Sequence, residues 1–181
     1  MSPRWALLIS GRGSTAQAVM DVIDWVNVSV VVSSKASAAG LFRARRNGVP
    51  TMTLPKEIAW EDLHRQLRQR GIDRIFLLGF MRIIPASFLQ HWEGRIWNVH
   101  PSLLPKYPGA KAIEQALADN ADIGVSIHNV ISEMDAGQVR RQRFVSSAAD
   151  HAELPFAIDE QGLVRDWAMQ MSFHQDRLGV Q

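Results

Sequence analysis

The chain has 181 residues, 46% hydrophobic and 21% charged, a balance that fits one globular domain with a proper core and excludes a disordered chain. Its formal net charge of +2 is no electrostatic footprint for nucleic acid, and the lack of cysteine excludes disulfides, thiolate chemistry and cysteine-held metals. No stretch approaches the roughly 18 apolar residues of a membrane span, and residues 1–12 lack a signal-peptide layout, so a cytoplasmic protein with no membrane partner is expected.

Strand and helix signals alternate along the chain. Residues 5–9 form a short apolar run, 10–14 a glycine turn, and 15–25 carry helical spacing through Ala18, Val22 and Val26. Residues 27–32 are apolar and largely β-branched, as in a strand buried on both faces. A helix over 36–47 stops at Gly48, and another over 60–70 has Glu61 and Asp62 in its first turn and Gly71 after its end. A strand over 74–79, a helix over 85–92, a strand over 95–100 and a short helix over 112–119 follow. Strands over 124–131 and 138–145 then flank the turn "SEMDAG". The arginines Arg43, Arg45 and Arg46, and then Arg65, Arg68, Arg70 and Arg74, cluster without interleaved aromatics, which reads as solvated helix faces. This order predicts an α/β fold: a doubly wound, mostly parallel sheet closed by a C-terminal antiparallel hairpin. Ligands of such sheets bind beyond the carboxyl ends of the strands.

Three stretches carry chemistry. In "WNVHPSLLPKYPG", Asn98 and His100 share one strand face while Trp97 and Val99 take the other, and Pro101 ends the strand beside them. In "LLISGRGSTAQAV", a strand runs into Gly11, Arg12, Gly13 and Ser14 and a helix follows at once, an arrangement in which backbone N–H groups can hold a phosphate. A turn needed only for packing is the alternative. The spacing Gly11, Gly13, Ala16 also fits a dinucleotide fingerprint. However, no carboxylate follows the second strand to hold a ribose, which leaves NADP, tolerated by Lys35, as the only nicotinamide option. In "SEMDAGQV", Asp135 is an ordinary turn aspartate unless the hairpin folds back over His100, where it would orient the imidazole and equip it as a general acid. His128 reads equally as a satisfied sheet histidine or as part of that site. No convincing metal-ligand cluster shows in the spacing, so no metal is expected.

With "SSKASAAGLFRARRNGV" and "LLGFMRIIP", these stretches stand in the order found in the folate-dependent formyltransferases, which the chain resembles over roughly residues 5–145. The resemblance implies one formyltransferase domain over 1–181, with the phosphate and acceptor half in 1–93 and the catalytic and folate half in 94–181. It implies formyl transfer from 10-formyltetrahydrofolate, as co-substrate, to a small primary amine that carries a phosphate. The acceptor expected first is phosphoribosylglycinamide of purine biosynthesis, with sugar or amino-acid amines as alternatives. Asn98 would bind the formyl oxygen, His100 would serve the tetrahedral intermediate as acid, and Asp135 would hold His100. Met81, Arg82, Ile83 and Ile84, with Ile131, Ser132, Glu133, Met134 and Asp135, would line the pterin pocket beside Asn98. Gly11, Arg12, Gly13 and Ser14 would hold the acceptor's phosphate, with Glu153 nearby, in a monomer or homodimer. Independently of the resemblance, transfer from a tetrahydrofolate nitrogen passes through an oxyanion and needs a proton for the leaving nitrogen, and an amide with an imidazole supplies both functions.

Two departures from the family stand out. Ala110 and Lys111 follow "PG" where the family commonly has a histidine. After Val145 the family has a longer segment and then a helix with a Glu-His pair ahead of a proline. Here His151, Glu153 and Pro155 arrive early, as a compressed version of that helix, and 162–181 has no counterpart. A non-catalytic ligand-binding relative and an NADP oxidoreductase are the competing readings.

Overall fold

The computed structural model describes residues 2–22 and 26–146. Its elements run β1 (Arg4–Ile9), α1 (Ser14–Val22), β2 (Asn27–Ser33), α2 (Ala39–Arg46), β3 (Thr51–Thr53), α3 (Trp60–Gln69), β4 (Arg74–Leu77), α4 (Ala86–His91), β5 (Ile96–His100), α5 (Ala112–Ala118), β6 (Ile123–Asn129) and β7 (Val139–Ser146). The strands form one seven-stranded sheet in the order β3-β2-β1-β4-β5-β6-β7. The pairs from β3 to β5 are parallel, whereas β5 with β6 and β6 with β7 are antiparallel. This is the predicted α/β architecture, doubly wound with an antiparallel hairpin at its end.

Alternation of side chains along each strand builds a core on both faces. Trp5, Leu7, Ile9, Phe76, Trp97 and Val99 pack with α1, α2 and α5 on one face. Ala6, Leu8, Ile75, Leu77 and Ile96 pack with Leu63 and Leu67 of α3 and with Phe88 and Trp92 on the other. Trp5 and Trp97 meet edge to face, with centroids 5.0 Å apart, and Phe76 lies 5.7 Å from Trp5, so a buried aromatic knot ties β1, β4 and β5 together. Truncating a fully buried tryptophan of this kind costs about 3–5 kcal/mol.

Several expectations shift in detail. The three-residue strand β3 has no periodicity long enough to be seen in the sequence, and it forms because Val31, Val32 and Ser33 of β2 offer it a parallel edge. The last three residues of β2 that precede Ser33 are buried, but its first three positions are not, so burial on both faces holds for only part of that strand. Arg74 is the one cluster arginine that does not lie on a solvated helix face. It opens β4 half-buried, its guanidinium over the rings of Trp5 (5.7 Å) and Trp97 (5.3 Å), where burial first and then Arg140 and Arg95 lower its pKa. Residues 23–25 of the first predicted helix lie outside the described residues. No described helix is long and apolar enough to cross a membrane.

The direction of winding reverses between β1 and β4, and the parallel registers Leu8↔Leu77 and Leu77↔Asn98 bring the exits of β1, β4 and β5 side by side. That edge is the switch point at which open α/β sheets take ligands.

Candidate active site

Strand geometry delivers Asn98 and His100 to this edge as a pair. Trp97 and Val99 are claimed by the aromatic face of the core, so the residues between and after them must face the opposite way. His100 is only 4% exposed, which makes its partners decisive. Its Nε2 lies 2.7 Å from the Tyr107 carbonyl oxygen, and because a carbonyl only accepts, Nε2 carries a hydrogen. Its Nδ1 faces Asp135 Oδ2 at 3.4 Å and forms an ion pair with it when protonated.

Asp135 reaches this place because the 130–138 connection folds back over the sheet. Two backbone features permit it. Asp135 takes a left-handed conformation (φ 51°), and Gly137 sits so close to the preceding strand that a Cβ there would lie 1.8 Å from the Asn129 carbonyl oxygen. The Asp135 carboxylate then collects contacts on both oxygens. Gly109 N–H donates to Oδ2 (2.8 Å), while His128 Nε2 (3.3 Å) and Asn98 Nδ2 (3.5 Å) approach Oδ1. Burial alone would raise this carboxyl. Hydrogen bonds from His128 and the Gly109 N–H, with the charges of His100 and His128, outweigh burial and bring it from 3.8 down to about 2. The carboxylate is therefore ionised across the physiological range.

His128 resolves between its two readings by contact. It is a buried β6 residue, paired across the sheet with Asn98, and its Nδ1 donates to the Asn129 carbonyl oxygen at 2.9 Å. That leaves Nε2 to accept from Asn98 Nδ2 at 3.1 Å or, when protonated, to face Asp135. His128 thus joins the network, where even its cross-strand place opposite Asn98 gave no sign in the sequence. The Tyr107 carbonyl and the Gly109 N–H were also not foreseeable, since backbone groups leave no residue-type signal. Both belong to the proline-rich loop 101–111, which is pinned by Ser102 Oγ to the Lys106 carbonyl (2.6 Å) and by Leu104 N–H to Ser126 Oγ (3.0 Å). Gly109 adopts φ 81°, the conformation behind the "PG" of the motif.

The loop after β4 places Met81 and Ile83 76% and 85% exposed, with Arg82 and Ile84 half-buried. Met81 N–H is held by Ser10 Oγ (2.8 Å), which links this loop to the exit of β1, and Arg82 Nη2 donates to the Lys56 carbonyl. In the hairpin connection, Ile131 and Met134 are large exposed apolar side chains, and Ser132 and Glu133 are exposed beside them. Unpaired apolar groups bordering a polar network suit the flat, partly apolar face of a ligand.

At the exit of β1 the glycine turn is held from behind. Gly40 N–H donates to the Gly11 carbonyl (3.2 Å) and Arg43 Nε to the Arg12 carbonyl (3.1 Å), while α1 opens at Ser14. Gly13 (φ 68°) has a packing reason of its own, since a Cβ there would lie 2.5 Å from Gly40 Cα. Gly11 has none among the described residues, where a Cβ would meet nothing within 4 Å. Glu153, with His151 and Pro155, lies outside the described residues.

The chain is thus a doubly wound α/β protein whose switch-point edge carries an amide, two imidazoles and an ionised carboxylate in one network. The chain belongs to the formyl transferase family, whose model matches residues 3–153. Phosphoribosylglycinamide formyltransferase of Escherichia coli (strain K12) is 39% identical over 158 residues, covering 81% of this chain and 74% of that protein. The trifunctional purine biosynthetic protein adenosine-3 of Drosophila pseudoobscura pseudoobscura is 38% identical over 149 residues, or 75% of this chain. The chain spans only 11% of that relative and 15% of the human one. Among solved structures, glycinamide ribonucleotide transformylase 1 from Geobacillus kaustophilus superposes with a TM-score of 0.79 at 29% identity, covering 100% of both chains. Phosphoribosylglycinamide formyltransferase from Anaplasma phagocytophilum gives 0.78 at 32% identity, over 95% of this chain and 82% of that one.

Proposed function

We propose that the chain transfers a formyl group from 10-formyltetrahydrofolate to the primary amine of phosphoribosylglycinamide. The observation that carries this reading is the convergence of Asn98, His100 and Asp135 on one half-buried network at the exit of β5, in a chain of the formyl transferase family. The likeness to proteins named for this acceptor supports the choice of amine.

The steps follow from the atoms present. The acceptor amine attacks the formyl carbon, and the carbonyl oxygen gains negative charge. With His128 Nε2–H donating to Asp135, Asn98 Nδ2 gives one of its two hydrogens to Asp135 Oδ1 and the second to that oxygen. His100 Nε2 is spent on the Tyr107 carbonyl, so the proton it delivers is on Nδ1; it passes to N10 of the folate as the formyl C–N10 bond breaks, and the proton shed by the attacking amine restores it to His100. Asp135 positions that Nδ1–H and balances the imidazolium. The folate's ring system lies against Met81, Ile83, Ile131 and Met134, and the acceptor's phosphate takes the N–H groups of the turn at Gly11, Arg12, Gly13 and Ser14, ahead of α1. No covalent enzyme intermediate is needed.

The test is an absorbance assay for tetrahydrofolate release from 10-formyltetrahydrofolate, run against a panel of amines. Turnover is expected with phosphoribosylglycinamide and a far poorer rate with its dephosphorylated analogue. Equal rates on both would overturn the acceptor and leave formyl transfer standing. NADPH binding without any formyl transfer would overturn the whole reading.

A further inference from the structure

Glu61, His64 and His91 form a second cluster of chemistry-bearing side chains, away from the exit of β5. Glu61 and His64 are one turn apart on α3 and share a face, and α4 brings His91, in its last turn, against that face. One ligand atom from each of the three lies within 4.8 Å of the other two. His91 Nε2 is 3.4 Å from Glu61 Oε2, and the rings of His64 and His91 stack with centroids 4.2 Å apart at 25°. Among the described residues His64 Nδ1 is buried with no hydrogen-bond partner, an arrangement that native proteins rarely leave uncompensated.

We propose that Glu61, His64 and His91 are a binding site for a divalent transition-metal ion of the zinc class. Zinc bonds of about 2.0–2.1 Å in tetrahedral array set neighbouring ligand atoms about 3.3 Å apart, close to the separation of His91 Nε2 and Glu61 Oε2. Two imidazoles and one carboxylate are a zinc donor set, whereas magnesium and calcium select oxygen. Exposure of Glu61 and His91 leaves the fourth position open to water. As a bare surface ion pair, Glu61 with His91 would contribute little and would do nothing for the buried His64 nitrogen. Trp92 packs edge-on to His64 at 5.7 Å and against Phe88, and Arg65 is engaged by Asp62, so closing on an ion asks only that the stacked rings of His64 and His91 tilt until their in-plane lone pairs converge. A bound ion would clip α3 to α4, whose chain continues through Trp92 and Arg95 into the strand carrying Asn98 and His100. Among the described residues the side-chain partners of those two residues and Asp135 are one another, His128, Tyr107 and Gly109, so the clip stands apart from that network and does not rest on the formyl-transfer reading.

The test strips the full chain with a chelator and titrates zinc against a chromophoric zinc indicator, with thermal melting alongside. One zinc ion per chain is expected, undisturbed by excess magnesium, and zinc should raise the melting temperature. His91→Ala and Glu61→Gln, both at exposed positions, should each weaken zinc by about a hundredfold or more, since losing a ligand costs at least what losing its hydrogen-bonded support does. Neither variant should then gain melting temperature from zinc. Asp135→Asn should bind zinc as the wild type does. Wild-type protein without zinc affinity, or His91→Ala with undiminished affinity, would overturn the site. So would zinc lost in Asp135→Asn and kept in His91→Ala, which would put the ion in the catalytic network.

Discussion

The exits of β5 and β1 lie on one edge of the sheet, with β4 between them, and are built in opposite ways. At β5 the groups are side chains, buried and partnered before any ligand arrives: His100 and His128 are each fixed by a backbone carbonyl, and Asp135 is fixed by a backbone N–H. At β1 the groups are backbone amides on an open turn, shaped by the close pass of Gly13 over Gly40. The difference matches the tasks proposed for the two. A proton donor and an oxyanion donor act only if held to the geometry of the transition state, and that holding has to come from hydrogen bonds around them. A phosphate needs only N–H groups and room to approach.

Substitutions at β5 should therefore strike turnover, and those around the open rim should strike binding. Asn98→Ala removes the oxyanion donor and should lower kcat about 100- to 1000-fold in the tetrahydrofolate-release assay. Asp135→Asn should lower kcat about a hundredfold and should also change stability with pH. The carboxyl titrates near 2 in the folded chain against an ordinary 3.8, so its contribution is complete above about pH 4 and disappears as pH falls towards 2. Acid unfolding monitored by circular dichroism should lose this component in the variant, and identical acid limbs would remove the buried, ionised Asp135 from the account. Met81→Ala or Met134→Ala, at exposed positions, should leave stability within about 0.5 kcal/mol and raise the KM for the folate about tenfold. The smallest effect is expected of Gly11→Ala. Its Cβ meets nothing within 4 Å among the described residues, so folding should be unaffected while the KM for a phosphorylated acceptor rises severalfold. An unchanged KM would give the turn a packing role alone.

The same contrast explains what could be seen in the sequence. The pairing of Asn98 with His100 was legible because strand alternation and the prolines after it leave one arrangement. The fold-back of Asp135 was legible only as a condition, since it depends on the hairpin connection passing over the sheet. The condition is met by Gly137, where no side chain fits against Asn129. The requirement for glycine at position 13 was visible, but its physical cause is contact with Gly40, far along the chain, which periodicity cannot report. Carbonyl and amide partners at Tyr107 and Gly109 carry no residue-type signature at all. Glu61 and His64 are three apart in the sequence, but the third member, His91, joins them only through the packing of α4 on α3, which the sequence does not announce.

The central claim is that His100, in its prebuilt setting, supplies the proton for formyl transfer. The most direct measurement is the kcat of His100→Ala with 10-formyltetrahydrofolate and phosphoribosylglycinamide, taken beside its folate affinity and melting temperature. A fall of about a hundredfold or more, with folate affinity and melting temperature close to wild type, is the predicted result. Wild-type kcat in a folded His100→Ala protein would contradict the account.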